Sequence, residues 1–227
     1  MSFPTSGIQA YWKLDESSGN AADATGNGNT GVNTSVTYGA GALNNCGIFN
    51  GSALLDCGSS STLANNVTGY SVSAWLQIAD HTQTQFYIAD WGTTPSGNEN
   101  FAIWTNGGAD FGTRFSDSAG TYYTSNSGVT PTNNTWYHVV ATYNGISLII
   151  YVNGTAHSQA VTAVPHVGGD FQIGARGNSS LNLNGKIDEV GVWNRALSST
   201  EVTTLYNSGT PLAYPSAVAN SAFLNFM

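Results

Sequence analysis

The sequence predicts an all-β fold: two antiparallel sheets packed as a sandwich, with one short helix near the C-terminus. Three observations predict it. Apolar and polar residues alternate at period two through most of the chain, and clusters of Gly, Asn, Ser and Thr break the runs. Asn-Gly, the strongest short hairpin signal, stands between strand-like runs at Asn144-Gly145 and Asn153-Gly154. A credible helix start occurs at one place, Ser198-Ser199-Thr200-Glu201. A chain of 227 residues is compatible with one sandwich domain, since such units run to roughly 200–250 residues.

The elements follow in order. In Ile8 to Leu14, the residues Ile8, Ala10, Trp12 and Leu14 share a face. In Tyr70 to Leu76, either Val72, Ala74 and Leu76 face the core or the opposite set does. Phe101, Ile103 and Phe111 read as core, and His138 as a packed histidine inside a strand. Trp136–Tyr143 and Leu148–Val152 form the strongest strand pair, joined through Asn144-Gly145 as a type I′ turn, where both central residues need positive φ. Gly185–Trp193 is a further strand. Ser198 and Glu201 make a capping box for a helix near 199–207, with Gly209 where a C-terminal cap belongs. Residues 1–209 make one domain. An apolar tail, 210–227, follows, and its Phe223, Leu224 and Phe226 suit packing either on this domain or on a neighbouring subunit.

Composition excludes several classes. Charged residues make up 8% of the chain, against about 25% in ordinary soluble proteins. Net charge is −8, and the five basic residues form no patch, so neither nucleic acid nor an anionic membrane surface is an expected partner. No apolar run approaches the roughly 18 residues of a membrane span, and the N-terminus has neither the basic nor the apolar region of a signal peptide. The polar surface falls instead to Asn, Thr, Ser and Gly. That composition suits hydroxyl-rich ligands and extracellular or virion surfaces.

The chain resembles the laminin-G-like, concanavalin A-like jelly-roll family in its bacterial and phage form. The resemblance rests on six stretches in order: Tyr11-Trp12-Lys13-Leu14-Asp15-Glu16 with the loop Asp23–Gly31; Ala42-Leu43 through Phe49-Asn50-Gly51; Tyr70–Trp75; Thr135–Gly145; Leu148–Gly154; and Gly185–Val190 with Asn194–Ser198. It covers about residues 8–208. It implies a two-sheet jelly roll in which the Gly185–Val190 strand lies near the N-terminal segment, where this family often holds calcium.

Four candidate sites follow. Asp23, Asn27 and Asn29 place oxygens on a tightly turning loop, as calcium needs, and the resemblance brings in Asp188. The same loop also reads as an Asx-turn that bonds its own backbone. Cys46 and Cys57 flank a hairpin centred on Gly51-Ser52, which would oppose them for a disulfide or leave two buried thiols. Trp91, Asn98, Trp104, Asn106, Asp110 and Tyr122 supply the aromatic faces and polar groups that hold sugars, although alternation assigns about half of this region's aromatics to the core. Catalysis is weakly supported. Four Glu (Glu16, Glu99, Glu189 and Glu201) form no paired-carboxylate run, Asp188 and Glu189 are adjacent and alternate in a strand, and the four His lack metal spacing. The expected function is therefore non-enzymatic: a calcium-stabilised, lectin-like adhesion module binding glycan. The alternative is a virion coat or tail component that oligomerises, or docks on a virion partner, through the tail.

Overall fold

The computed structural model of the protein describes residues 2–59, 63, 68–92, 99–105, 107–166, 168–176 and 181–215. Its strands are β1 (Ile8–Trp12), β2 (Val32–Thr34), β3 (Thr37–Ala40), β4 (Asn45–Asn50), β5 (Leu54–Ser59), β6 (Tyr70–Ile78), β7 (Gln85–Gly92) and β8 (Glu99–Thr105). They continue as β9 (Phe111–Ser116), β10 (Tyr122–Asn126), β11 (Trp136–Tyr143), β12 (Ser147–Val152), β13 (Thr155–Ala160), β14 (Gly169–Ile173) and β15 (Asn184–Trp193). The helix α1 (Ser199–Tyr206) follows β15.

The strands form two antiparallel sheets. The eight-stranded sheet runs β13-β12-β11-β6-β15-β4-β3, and β1 pairs with the second half of β15. The seven-stranded sheet runs β10-β9-β8-β7-β14-β5-β2. This is the jelly-roll sandwich expected from the sequence, and β15 does lie beside the N-terminal strand, with Trp12 opposite Val190. The main core fills the gap between the sheets: Trp12 stacks on Phe171 at 5.8 Å, and Tyr70 meets Phe101 edge-on at 5.2 Å. Burying aromatic faces of this size supplies much of the driving force. A second cluster lies on the outside of the eight-stranded sheet, where α1 covers Tyr11, Val140, Tyr151 and Trp193 with Val202 and Leu205.

Local expectations hold where local chemistry decides. Val72, Ala74 and Leu76 face the core, as do Phe101, Ile103 and Phe111. Asn153 and Gly154 both have positive φ, 50° and 80°, and form a two-residue turn between Val152 and Thr155. His138 is buried.

Four expectations are corrected. Ile8 leaves the Ala10–Trp12–Leu14 face because the register shifts between Ile8 and Ala10. At Asn144-Gly145 only Gly145 has positive φ. The Asn144 side chain instead accepts from Ile146 N and Ser147 N, so a longer loop joins Tyr143 to Leu148. The helix ends at Asn207, left-handed at φ 44°, and not at Gly209. Most consequentially, the hairpin expected between the cysteines does not form. β4 pairs with β3 and β15, whereas β5 pairs with β2 and β14 in the other sheet. The turn at Gly51-Ser52 thus carries the chain across the sandwich, held by Asn50 Oδ1 accepting from Ser52 N and Ala53 N and by Gly51 N donating to Leu183 O. Cys46 and Cys57 are free, buried thiols. Burial pushes the Cys46 thiol up to about 12 and Cys57 well above its ordinary value.

Beyond α1, Leu212 and Tyr214 pack on the second cluster, and Tyr214 stacks on Tyr11 at 4.6 Å. Phe223, Leu224 and Phe226 lie outside the described residues.

Candidate functional site

The outer face of the seven-stranded sheet carries an aromatic and cationic platform, and strand alternation builds it. In β8, Phe101 and Ile103 go inward, so Ala102 and Trp104 go outward. In β9, Phe111 and Phe115 go inward and Arg114 goes outward. Arg114 pairs with Ala102 on one side and Thr124 on the other. Trp104 and Tyr122 are therefore its two diagonal neighbours, close enough for long side chains to meet. The Arg114 guanidinium lies 4.8 Å from the Trp104 ring centre and 4.2 Å from that of Tyr122. Gly112, opposite Trp104, leaves room for the indole: a Cβ there would lie 3.0 Å from Trp104 Nε1. Such cation–π contacts contribute roughly 0.5–1 kcal/mol each at exposed sites and hold three large side chains together as one group.

Of the six residues expected to bind a ligand, the structure brings Trp104 and Tyr122 together. Asp110 lies apart, its Oδ2 accepting from Gly128 N at 2.5 Å in the turn before β9. Asn98, Asn106 and the side chain of Trp91 fall outside the described residues. Tyr123 turns inward onto Phe115.

The expected calcium loop is closed on itself. Asp23 Oδ1 accepts from Tyr11 N, Thr25 N and Thr25 Oγ1, and Oδ2 accepts from Asn29 N and Asn29 Nδ2. These donors hold the Asp23 carboxyl below its usual range despite partial burial. Asn27 and Asn29 donate their side-chain amides to Gln9 O, at 2.9 and 3.0 Å. Asp188 is bonded elsewhere, its Oδ2 accepting from Ala42 N and Leu43 N, both at 2.9 Å. Calcium needs oxygens with free lone pairs converging on one point. Asp23 faces N–H and O–H donors instead, so this donor set does not fit the ion as folded.

Asp188 and Glu189 are both buried. Glu189 adopts φ 51° in a register shift between Asp188 and Gly191, and Tyr11 donates its hydroxyl to Glu189 Oε2 at 2.5 Å. Burial pushes Asp188 up to about 8 and Glu189 up to about 7. Asp188 Oδ1 is buried and has no hydrogen-bond partner among the described residues. Ser73 Oγ and His138 Nε2 stand 2.9 Å apart, but both side chains are buried, His138 lies against Trp75 and Tyr206, and burial pushes His138 down to about 3.

A family model described as the concanavalin A-like lectin/glucanases superfamily matches residues 49–203, more than half of the chain. The chain belongs to that superfamily. Solved structures of the same fold include domain 4 of AbnA, a GH43 extracellular arabinanase from Geobacillus stearothermophilus, in complex with arabinotriose. That match has 19% identity and a TM-score of 0.70, and it covers 88% of this chain and 98% of that one. The binding domain of Paraclostridial mosquitocidal protein 1 matches at 17% identity, a TM-score of 0.72 and 89% coverage of this chain. Trypanosoma rangeli sialidase with the inhibitor DANA matches at 16% identity, a TM-score of 0.72 and 90% coverage. This chain spans 52% and 33% of those two proteins. No curated protein sequence matches. Arg114 stands in the same aromatic-rich stretch that the sequence singles out, but its place between the two rings and the Gly112 gap were not legible there, because a glycine on an outer face carries no signal of its own. The shared parity of Ala102, Trp104, Gly112, Arg114 and Tyr122 is the signal that could have found them, once the strands are aligned.

Proposed function

We propose that this domain is a non-catalytic glycan-binding module of extracellular or particle surfaces, and that the Trp104–Arg114–Tyr122 platform contacts the sugar. The observation that carries this reading is the platform itself: two aromatic rings flanking one guanidinium on an outward-facing sheet. Aromatic faces take the C–H face of a pyranose or furanose, and the planar guanidinium donates to ring hydroxyls. The charge-poor surface, rich in Asn, Ser and Thr, suits hydroxyl ligands as well. Binding without cleavage is favoured because Asp188 and Glu189, adjacent in the chain, are buried and bonded to Ala42, Leu43 and Tyr11. Glycoside cleavage asks for two carboxyls about 5–9.5 Å apart on either side of a bound sugar. The coat or tail role rests on Phe223, Leu224 and Phe226, and no contact among the described residues favours it.

A glycan array followed by calorimetry tests the reading. Trp104→Ala and Tyr122→Ala each lower affinity at least tenfold, about 1.4 kcal/mol, with the far-UV spectrum unchanged. An array without a hit, or variants that bind as the parent does, would overturn it.

A further inference from the structure

We propose that the outer face of the eight-stranded sheet carries a second binding site, for an acidic sugar residue, in the stretch beyond α1. The platform lies on the opposite sheet, and this site does not depend on it.

The strand register sets the site out. Trp136 on β11 opposes Gln77 on β6, Gln77 opposes Lys186 on β15, and Lys186 opposes Ile48 on β4. Their chain neighbours Tyr137, Leu76, Ile187 and Phe49 face the core, so these four side chains share the outer face. The next row of that face, with Trp75 and His138, lies against Tyr206, the last residue of α1. The helix reaches no farther, and Trp136, Gln77, Lys186 and Ile48 all keep part of their surface exposed.

A groove of about 160 Å³ opens beside this row, along Ile48, Gln77, Asn134, Asn184, Gly185 and Lys186. At about 30 Å³ per water it holds roughly five waters, the room of one sugar ring. The side chains of Gln77, Asn134 and Asn184 border it and make no hydrogen bond among the described residues. Elsewhere the side chains of Asn27, Asn29, Asn50 and Asn144 are committed to nearby backbone. Each free amide can donate to one sugar hydroxyl and accept from another. Trp136, beside Gln77, offers an aromatic face for the C–H side of a sugar ring.

Charge selects the class of sugar. Lys186 Nζ donates to Ala40 O at 3.1 Å and has no carboxylate partner among the described residues. Asp188, two residues along the same face, is buried and keeps its proton up to about pH 8. Asp80, next to Ala79 at the end of the groove, turns Oδ1 to Thr82 N and Oγ1. An ammonium has three donors, so Lys186 keeps donors for a ligand anion. A uronate supplies that anion together with ring hydroxyls for the amides.

Calorimetry with linear tetramers of galacturonic acid, and of galactose as the neutral counterpart, tests this. The Trp104→Ala, Tyr122→Ala double variant lacks the platform and still binds the acidic tetramer. Lys186→Gln added to it lowers affinity for the acidic tetramer about tenfold, as loss of a charge-assisted hydrogen bond does, and abolishes the preference for acid over neutral. Gln77→Ala weakens both tetramers, and added salt weakens the acidic one alone. The melting temperature checks that each variant is folded. If the platform variant does not fold, the same Lys186→Gln comparison is made on the parent. No binding of the acidic tetramer, or a Lys186→Gln protein that keeps the acid preference, overturns the second site and leaves the platform untouched. Acidic binding that survives in the platform variant, with a parent that binds no neutral glycan, overturns the platform and leaves this site standing.

Discussion

Asp188 and Glu189 show how much two side chains can impose on a fold. Each is held by a neighbour distant in sequence, Asp188 by the Ala42–Leu43 amides and Glu189 by the Tyr11 hydroxyl. Burial raises both above the ordinary carboxylate range, to about 8 and about 7. The folded protein therefore keeps protons that the unfolded chain has released. Their contribution to stability is complete below about pH 4, the unfolded value, and is lost as pH rises through 7 to 8. Asp188→Asn mimics the protonated acid, so it leaves the melting temperature unchanged at pH 4 and raises stability at pH 8.5 by up to about 5 kcal/mol, four pH units at about 1.4 kcal/mol each. An unchanged pH profile in this variant would refute the protonated state. The family resemblance brings Asp188 to the expected calcium site, and its carboxylate is visible in a sequence. The backbone N–H groups that occupy it are not, since every residue but proline has one.

At the scale of elements, what was legible is what closes within a few residues. The capping box of α1 is complete, with Glu201 N donating to Ser198 Oγ and Ser198 N donating to Glu201 Oε2. Arg195 adds a forked pair to the same Glu201, at 2.6 and 2.9 Å, and pulls its carboxyl down to about 2. Ser198→Ala removes the cap and costs about 1 kcal/mol, read as a lower midpoint in urea with an unchanged slope. The two-residue turn at Asn153-Gly154 was legible for the same reason. The turn at Gly51-Ser52 was recognisable as a turn, but its direction was not. A hairpin and a crossing between sheets share the same alternation and the same Gly, and what distinguishes them is pairing with distant strands, β5 with β14 and β2 and Gly51 N with Leu183 O.

At the scale of the whole molecule, the sandwich was readable because six short motifs in order specify it, while the proposed platform was only half readable. Trp104 and Tyr122 could be picked out by residue type. That both flank Arg114 follows from the registers of β8, β9 and β10, which no local pattern encodes. Stability also follows from the whole. With Asp23 satisfied by protein donors and both sheets packed through a large aromatic core, a chelator such as EDTA leaves the melting temperature unchanged. A drop of several degrees on chelation, restored by calcium, would refute this.

The pairing of β1 with β15 has a consequence for how such a domain is displayed. Trp193 Nε1 donates to Pro4 O, Arg195 Nε donates to Ser6 O, and Phe3 meets Tyr214 at 5.2 Å. Positions 3 and 214 thus lie side by side, on the outer side of the eight-stranded sheet. The proposed reading surface is on the opposite sheet. A bead or surface tethered at position 214 would therefore sit on the far side of the sandwich from Trp104, Arg114 and Tyr122 and leave that face open to solvent.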